Sequence, residues 1–343
     1  MTLRHITLLL ASVALSASAA GAAPGGEQLQ PKANEVPRDT SFTFWSTAVK
    51  VHKTYPDAVL AMPELPKGMK EYRDVVYSTL PDTPYGKRDL HVDIFRPDTD
   101  EVLPALLMFH GGGWNSGDKT LEIPMAKMIA AQGYVTIPVE YRLIPEAVYP
   151  AGLNDAKTAV RWARANAEKY GIDPDRIAVS GTSAGAQLAT LVGVTNGQPR
   201  HEGNGEWQGT PSNVQAIVSM DGIATFVSEH NIAESRQSYE KKGVLPVNSL
   251  WLGGLYEDSP ANWEHASALN WITDTSAPIC FINSRLDRYH DGRDHLTQIY
   301  TLRGIYSEVH TIDVNVHPFW FFHPWIDETV AHTVNFLNSI LKK

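Results

Sequence analysis

Short apolar runs of strand length alternate along most of this chain with longer segments that read as helices. Strands are predicted at 104–109, 134–139, 176–180, 214–220, 278–283 and 306–312, several of them continuously apolar, as expected of strands covered on both faces. Helices are predicted near 119–131 and at 151–169, 184–194, 292–303 and 327–341. Two earlier strands fall at 72–78 and 89–95. In the second, Leu90, Val92 and Ile94 alternate with His91, Asp93 and Phe95, which suits an antiparallel edge strand. Alternation of strands and helices builds a mostly parallel central sheet with helices on both faces, an α/β fold. Between 222 and 275 the alternation breaks, and that stretch reads as a small cap or insertion.

The first sixty residues follow another pattern. Arg4 and His5 give a short positive start, Ile6 to Leu15 is apolar, and Ala17-Ser18-Ala19 and Ala20-Gly21-Ala22 offer small-residue cleavage sites. Residues 1–22 therefore read as a signal peptide, with an apolar part too short for a comfortable membrane span. The mature protein is expected to be exported, periplasmic or secreted, without membrane insertion. Residues 23–60 read as a linker and N-terminal extension, with a short helix at 42–52 expected near the mouth of the site; 61–343 reads as one domain.

Composition refines this only a little. Hydrophobic residues make up 43%, enough to fill a large core. The net charge is −9 and no Lys/Arg tract is present, which argues against a nucleic-acid partner. The single cysteine, Cys280, falls in a predicted buried strand and excludes an internal disulfide and a cysteine-based zinc site. No metal or other cofactor is expected.

The candidate chemistry sits at the ends of two predicted strands. Ile177-Ala178-Val179-Ser180 runs into Gly181-Thr182-Ser183-Ala184-Gly185, and a helix follows. Gly-x-Ser-x-Gly between a strand and a helix puts the serine on a sharp turn, its hydroxyl exposed above a helix N-terminus. Ser183 is the candidate nucleophile. Upstream, the strand ending at Phe109 leads into His110-Gly111-Gly112-Gly113-Trp114. Glycines there expose backbone N–H groups without obstruction. Gly112, flanked by Gly111 and Gly113, joins the N–H of Ala184 as the candidate oxyanion hole. His110 reads as a residue holding this loop rather than as a base.

These residues carry a resemblance, together with Glu140-Tyr141-Arg142-Leu143, Tyr149-Pro150-Ala151, Asp155, Ala159-Val160-Arg161-Trp162, the stretch from Tyr170 to Ile177, Trp251-Leu252-Gly253-Gly254 and Ala266-Ser267. Over roughly 70 to 343 the chain resembles α/β-hydrolases of the hormone-sensitive-lipase-like and carbohydrate-esterase-like branch. The resemblance implies a serine esterase with a triad in the chain order Ser, Asp, His. It implies an acid after a late strand: Asp287, directly after 278–283, is the candidate, with Asp291 and Asp294 in competition. It implies a base after the last strand: His317, in Val316-His317-Pro318-Phe319-Trp320, is the candidate and His323 the alternative.

Substrate recognition is read from the same loops. Trp114 beside the oxyanion loop and Trp320 beside the base are candidate substrate-binding rings, and Arg288 is a candidate partner for hydroxyls or a uronate carboxylate. The resemblance implies removal of acetyl or feruloyl groups from a plant or microbial polysaccharide. A general short-chain carboxylesterase is the alternative. An inactive hydrolase fold serving as a binding protein is the alternative of another class.

Overall fold

The computed structural model describes residues 36–342. The expected signal peptide and the first part of the linker lie outside the described residues. Among the described residues there are ten strands: β1 (Val59–Leu60), β2 (Met69–Leu80), β3 (Arg88–Pro97), β4 (Leu103–Phe109), β5 (Val135–Val139), β6 (Ile172–Thr182), β7 (Ala216–Met220), β8 (Ile279–Asn283), β9 (Ser307–Thr311) and β10 (Phe322–His323). β1 and β10 form a small antiparallel ribbon; the other strands form one sheet in the order β2-β3-β5-β4-β6-β7-β8-β9. The pairs β2–β3 and β3–β5 are antiparallel, and every later pair is parallel.

The apolar runs are explained by two cores, one on each face of the sheet. Along β4, Leu103, Ala105, Leu107 and Phe109 belong to one core, while Leu106 and Met108 belong to the other. α3 (Ala151–Ala165) and α5 (Ala184–Val194) cover the first through residues such as Leu153, Leu188 and Leu191. α2 (Ile123–Ala130) and α10 (Trp325–Leu341) cover the second through Met125, Ile129 and Leu337. Each such side chain, fully buried, is worth about 1.5–3 kcal/mol of transfer free energy. This mostly parallel sheet, covered on both faces, is the α/β-hydrolase architecture that the sequence implies.

One strand differs from its expectation. β3 is antiparallel but is not an edge: β2 pairs outside it. Two of its polar positions, Asp93 and Arg96, are accordingly buried. Asp93 accepts from Lys119 Nζ at 2.7 Å and from the Asp74 N–H at 2.9 Å, and pairs with Arg73 Nε at 3.1 Å.

The remaining helices complete the frame. α1 (Phe44–Val51) opens on Thr43, whose side chain accepts from the Ser46 N–H in a capping box. The short α4 (Ala167–Tyr170) follows α3. Between β7 and β8 lie α6 (Glu229–Lys242), α7 (Val247–Leu252) and α8 (Pro260–Ala266), and α9 (Arg293–Arg303) precedes β9. The loop after β5 is pinned to α3 by Arg142, whose guanidinium donates to both carboxylate oxygens of Asp155 at 2.6 and 2.8 Å. Among the described residues, no helix is long and apolar enough to cross a membrane.

Candidate active site

Ser183 sits between the end of β6 and the start of α5 with φ 54° and ψ −117°, a backbone region that a side chain rarely occupies. The turn is held by the Ser183 N–H donating to the Met220 carbonyl at 2.8 Å. It also needs a glycine close by: a Cβ on Gly185 would overlap the Phe109 carbonyl at the end of β4. Strand, turn and helix thus fix the hydroxyl at the carboxyl end of the sheet.

The loop after β9 brings His317 to this hydroxyl. Nε2 of His317 lies 2.7 Å from Ser183 Oγ, and Nδ1 lies 3.0 Å from Asp221 Oδ2. A carboxylate only accepts, so Nδ1 carries the proton and Nε2 is left to accept from the serine. The Tyr289 ring stacks on the imidazole at 3.6 Å and 10°, and Trp320 meets it edge-on at 5.1 Å. Burial pulls the His317 pKa below the ordinary histidine value; Asp221 works in the opposite direction, and the Arg288 charge lowers it further.

The structure does not bring Asp287 to His317. The Asp287 side chain is 101% exposed, and its Oδ1 lies 3.6 Å from His290 Nδ1. Asp291 accepts from Ser228 Oγ at 2.6 Å, and Asp294 pairs with Arg293. The carboxylate at the imidazole is Asp221, directly after β7, with a side chain that is 0% exposed. It accepts from the Ser284 N–H (2.8 Å), Ser284 Oγ (2.7 Å), Asn283 Nδ2 (3.3 Å) and His317. The loop after β8 therefore supplies donors to the acid rather than the acid itself. The sequence signal was available: Asp221 follows an apolar strand without a gap, as Asp287 nearly does. His323 is also not part of this arrangement; it is half-buried and bonded to Asp327 at 2.6 Å.

Around the glycine loop the groups divide. The Gly111 N–H is already committed, donating to Thr182 Oγ1 at 3.0 Å, so Gly111 drops out as an oxyanion donor. The N–H groups of Gly112 and Gly113 have no backbone acceptor among the described residues. Ala184 opens α5, where the first N–H groups have no intrahelical partner. A Cβ on Gly112 would overlap the Ser116 carbonyl, so the chain can pass there only as glycine. His110 supports the loop from beneath: it is buried, bonds the Gly111 carbonyl through Nδ1 at 2.7 Å, and its pKa is pushed down to about 4 by burial. Thr182 Oγ1 in turn donates to Oε1 of the buried Glu122 at 2.7 Å, a carboxyl whose pKa burial pushes up to about 8.

With this geometry in hand, comparison with known proteins is decisive for the family. The BD-FAE family model matches residues 92–291, more than half of the chain, a span that includes Ser183 and Asp221 but not His317. The chain belongs to the BD-FAE family. Esterase LipC of Mycobacterium tuberculosis is 37% identical over 186 residues, which span 54% of this chain and 44% of LipC. Carboxylesterase NlhH of the same species is 40% identical over 131 residues, 37% of this chain and 39% of NlhH. The chain thus spans less than half the length of these two relatives. Among solved structures, Thermogutta terrifontis Est2 with butyrate bound superposes with a TM-score of 0.63 at 23% identity, covering 83% of this chain and 96% of Est2. A truncated carbohydrate esterase from gut microbiota gives 0.62 at 20% identity, covering 83% and 100%. These two likenesses bear on the fold.

Ser183 of this BD-FAE member opens into a cavity of about 290 Å³, walled by Trp114, Gln187, Ile223, Val247 and Tyr289. Trp114 stacks on Trp251 at 4.6 Å and donates to Gln187 Oε1 at 3.3 Å, so one wall of the cavity is rigid. Arg288 also lines the cavity. Trp320 does not: it is buried, backs the imidazole and is withheld from any ligand, contrary to the sequence expectation. Away from the site, Cys280, Glu308 and His310 place ligand-type atoms within 4.8 Å of one another, a grouping made by strand pairing that spacing does not reveal. Hydrogen bonds to Tyr306 and His310 already engage the Glu308 carboxylate.

Proposed function

We propose that this protein is a serine esterase acting on short-chain carboxylic esters, with Ser183 as nucleophile, His317 as base and Asp221 as the acid behind it. The observation that carries this reading is His317, bonded to Ser183 Oγ on one side and Asp221 Oδ2 on the other. His317 takes the serine proton as Oγ attacks the ester carbonyl. Gly112, Gly113 and Ala184 offer N–H groups to the oxyanion. The alcohol leaves with the proton held at Nε2, and water activated by the same nitrogen hydrolyses the acyl-enzyme. Asp221 fixes the tautomer and stabilises the imidazolium.

The substrate side of the proposal is an acetyl or feruloyl ester of a polysaccharide. It is supported by the structural likeness to carbohydrate esterases and by the small aromatic-walled cavity. A general short-chain carboxylesterase is the second reading, favoured by the names of LipC and NlhH. Export follows from the N-terminal pattern, and N-terminal sequencing of the mature protein tests it. Two measurements test the activity. A fluorophosphonate probe should label the wild type and not Ser183→Ala. Nitrophenyl esters from acetate to octanoate should lose kcat/KM with length; a long-chain pocket would instead gain about 0.8 kcal/mol per buried methylene.

A further inference from the structure

Three cavities meet at Arg288. The first holds the nucleophile and includes two carboxylates, Asp221 and Glu234. The second, about 640 Å³, includes Asp287, Asp291 and Asp294. The third, also about 640 Å³, lies between the N-terminal helix α1 and the loop carrying the base. It contains no carboxylate. Its charged residues are Lys50 and Arg288, and the base His317 also lines it.

Neither Lys50 nor Arg288 forms an ion pair among the described residues. The Arg288 guanidinium rests 4.6 Å from the centre of the Tyr289 ring, a contact with a π face that leaves its N–H groups to seek an acceptor. Phe42 and Tyr55 supply ring surface in the same cavity, and Thr47 and Asn315 supply hydrogen-bonding groups. Position adds a second argument. A leaving alcohol receives its proton from His317, so the alcohol half of an ester must lie beside that residue. Of the three cavities, only the third includes His317 in its lining.

Resting on the serine-esterase reading above, we propose that this cavity is a subsite for an anionic alcohol half, a sugar carrying a carboxylate, held between Lys50 and Arg288. The acyl group then occupies the nucleophile cavity, where Asp221 and Glu234 would repel the same carboxylate.

The test compares acetylated oligogalacturonides with their methyl-esterified forms, which differ in the charge of the sugar. Wild-type kcat/KM should favour the free acid by about tenfold at low salt, as expected of a charge-assisted contact near the surface, and the preference should shrink as salt screens it. Lys50→Gln and Arg288→Gln should each lower the ratio of acid to methyl ester several-fold, and Arg288→Lys should lower it less. A wild-type ratio near one, or a ratio that both glutamine variants leave unchanged, overturns the subsite. Hydrolysis of 4-nitrophenyl acetate by the same wild-type sample separates the two levels. Turnover without acid preference rejects the subsite alone, and no turnover rejects the esterase reading and the subsite with it.

Discussion

At the scale of single residues, the decisive contrast is between two aspartates. Asp221 is sealed under four donors and touches the imidazole; Asp287 points into solvent. Asp221→Asn should therefore cost about 10⁴-fold in kcat, through the wrong imidazole tautomer, while Asp287→Asn should stay within about twofold. Steady-state kinetics on 4-nitrophenyl acetate decides this, and a large loss in Asp287→Asn would restore the loop after β8 as the source of the acid. The pH profile gives a second check. Only neutral His317 accepts the serine proton, so kcat/KM rises as pH climbs through the His317 pKa. Burial and Arg288 hold that pKa below the ordinary histidine value of 6.5, so the acid limb should lie below that pH. Removing the charge with Arg288→Gln should move the limb upward; a downward shift would contradict the arrangement. Ser183 and His317 were legible because each stands in a local pattern, a glycine-bounded turn and a loop after the last strand. Asp221 also follows an apolar strand, but nothing local ranks it above Asp287: the partners that single it out, Ser284 and His317, are distant in sequence and reach it only through the pairing of β7, β8 and β9.

Among the elements, the approach of α5 to β4 is the tightest constraint. A methyl group on Gly185 has no room against the Phe109 carbonyl, and the obstacle is backbone rather than a side chain that could swing aside. Gly185→Ala should destabilise the fold by about 3 kcal/mol or more and displace the turn that carries Ser183. Chemical denaturation together with fluorophosphonate labelling would show both effects, and a variant with wild-type stability and labelling would refute the close approach. The parallel strands were readable from periodicity because both of their faces are buried, which leaves continuous apolar runs. β3 misled because its alternation looked like one wet face. In fact that face carries Asp93, whose charge is met by Lys119 and Arg73 from elsewhere in the chain, and no local pattern records such a pairing. Gly111 was misread for a similar reason: its N–H is consumed by a side chain on β6.

For the molecule as a whole, buried titratable groups set the pH range of stability. His110 has a folded pKa of about 4 against an ordinary 6.5, so the unfolded chain takes up its proton first as pH falls. Stability is then lost between those values at about 1.4 kcal/mol per pH unit. Glu122 has the opposite sign. Its folded pKa is about 8 against an ordinary 4.5, so its contribution is full below 4.5 and is lost as pH rises toward 8. Of these two, only the Glu122 loss continues above pH 6.5, and the melting temperature should decline from there to pH 8. Glu122→Gln, which mimics the protonated acid, should flatten that decline in a calorimetric pH series. An unchanged alkaline slope would mean that Glu122 is not the group responsible.

The place of the acid has a consequence for how such a molecule can diversify. Asp221 is carried by a strand next to the one that carries the nucleophile, and the loop after β8 contributes only its opening residue, Ser284, together with Asn283 at the end of the strand, to holding it. The proposed proton relay is thereby anchored to the rigid interior. The exposed Asp287 side chain holds none of it, so the charge at that position can be rewritten to suit a new ester, provided the backbone keeps its course from Ser284 to Tyr289: the Leu286 N–H donates to Ser284 Oγ at 3.3 Å, and Tyr289 stacks on His317.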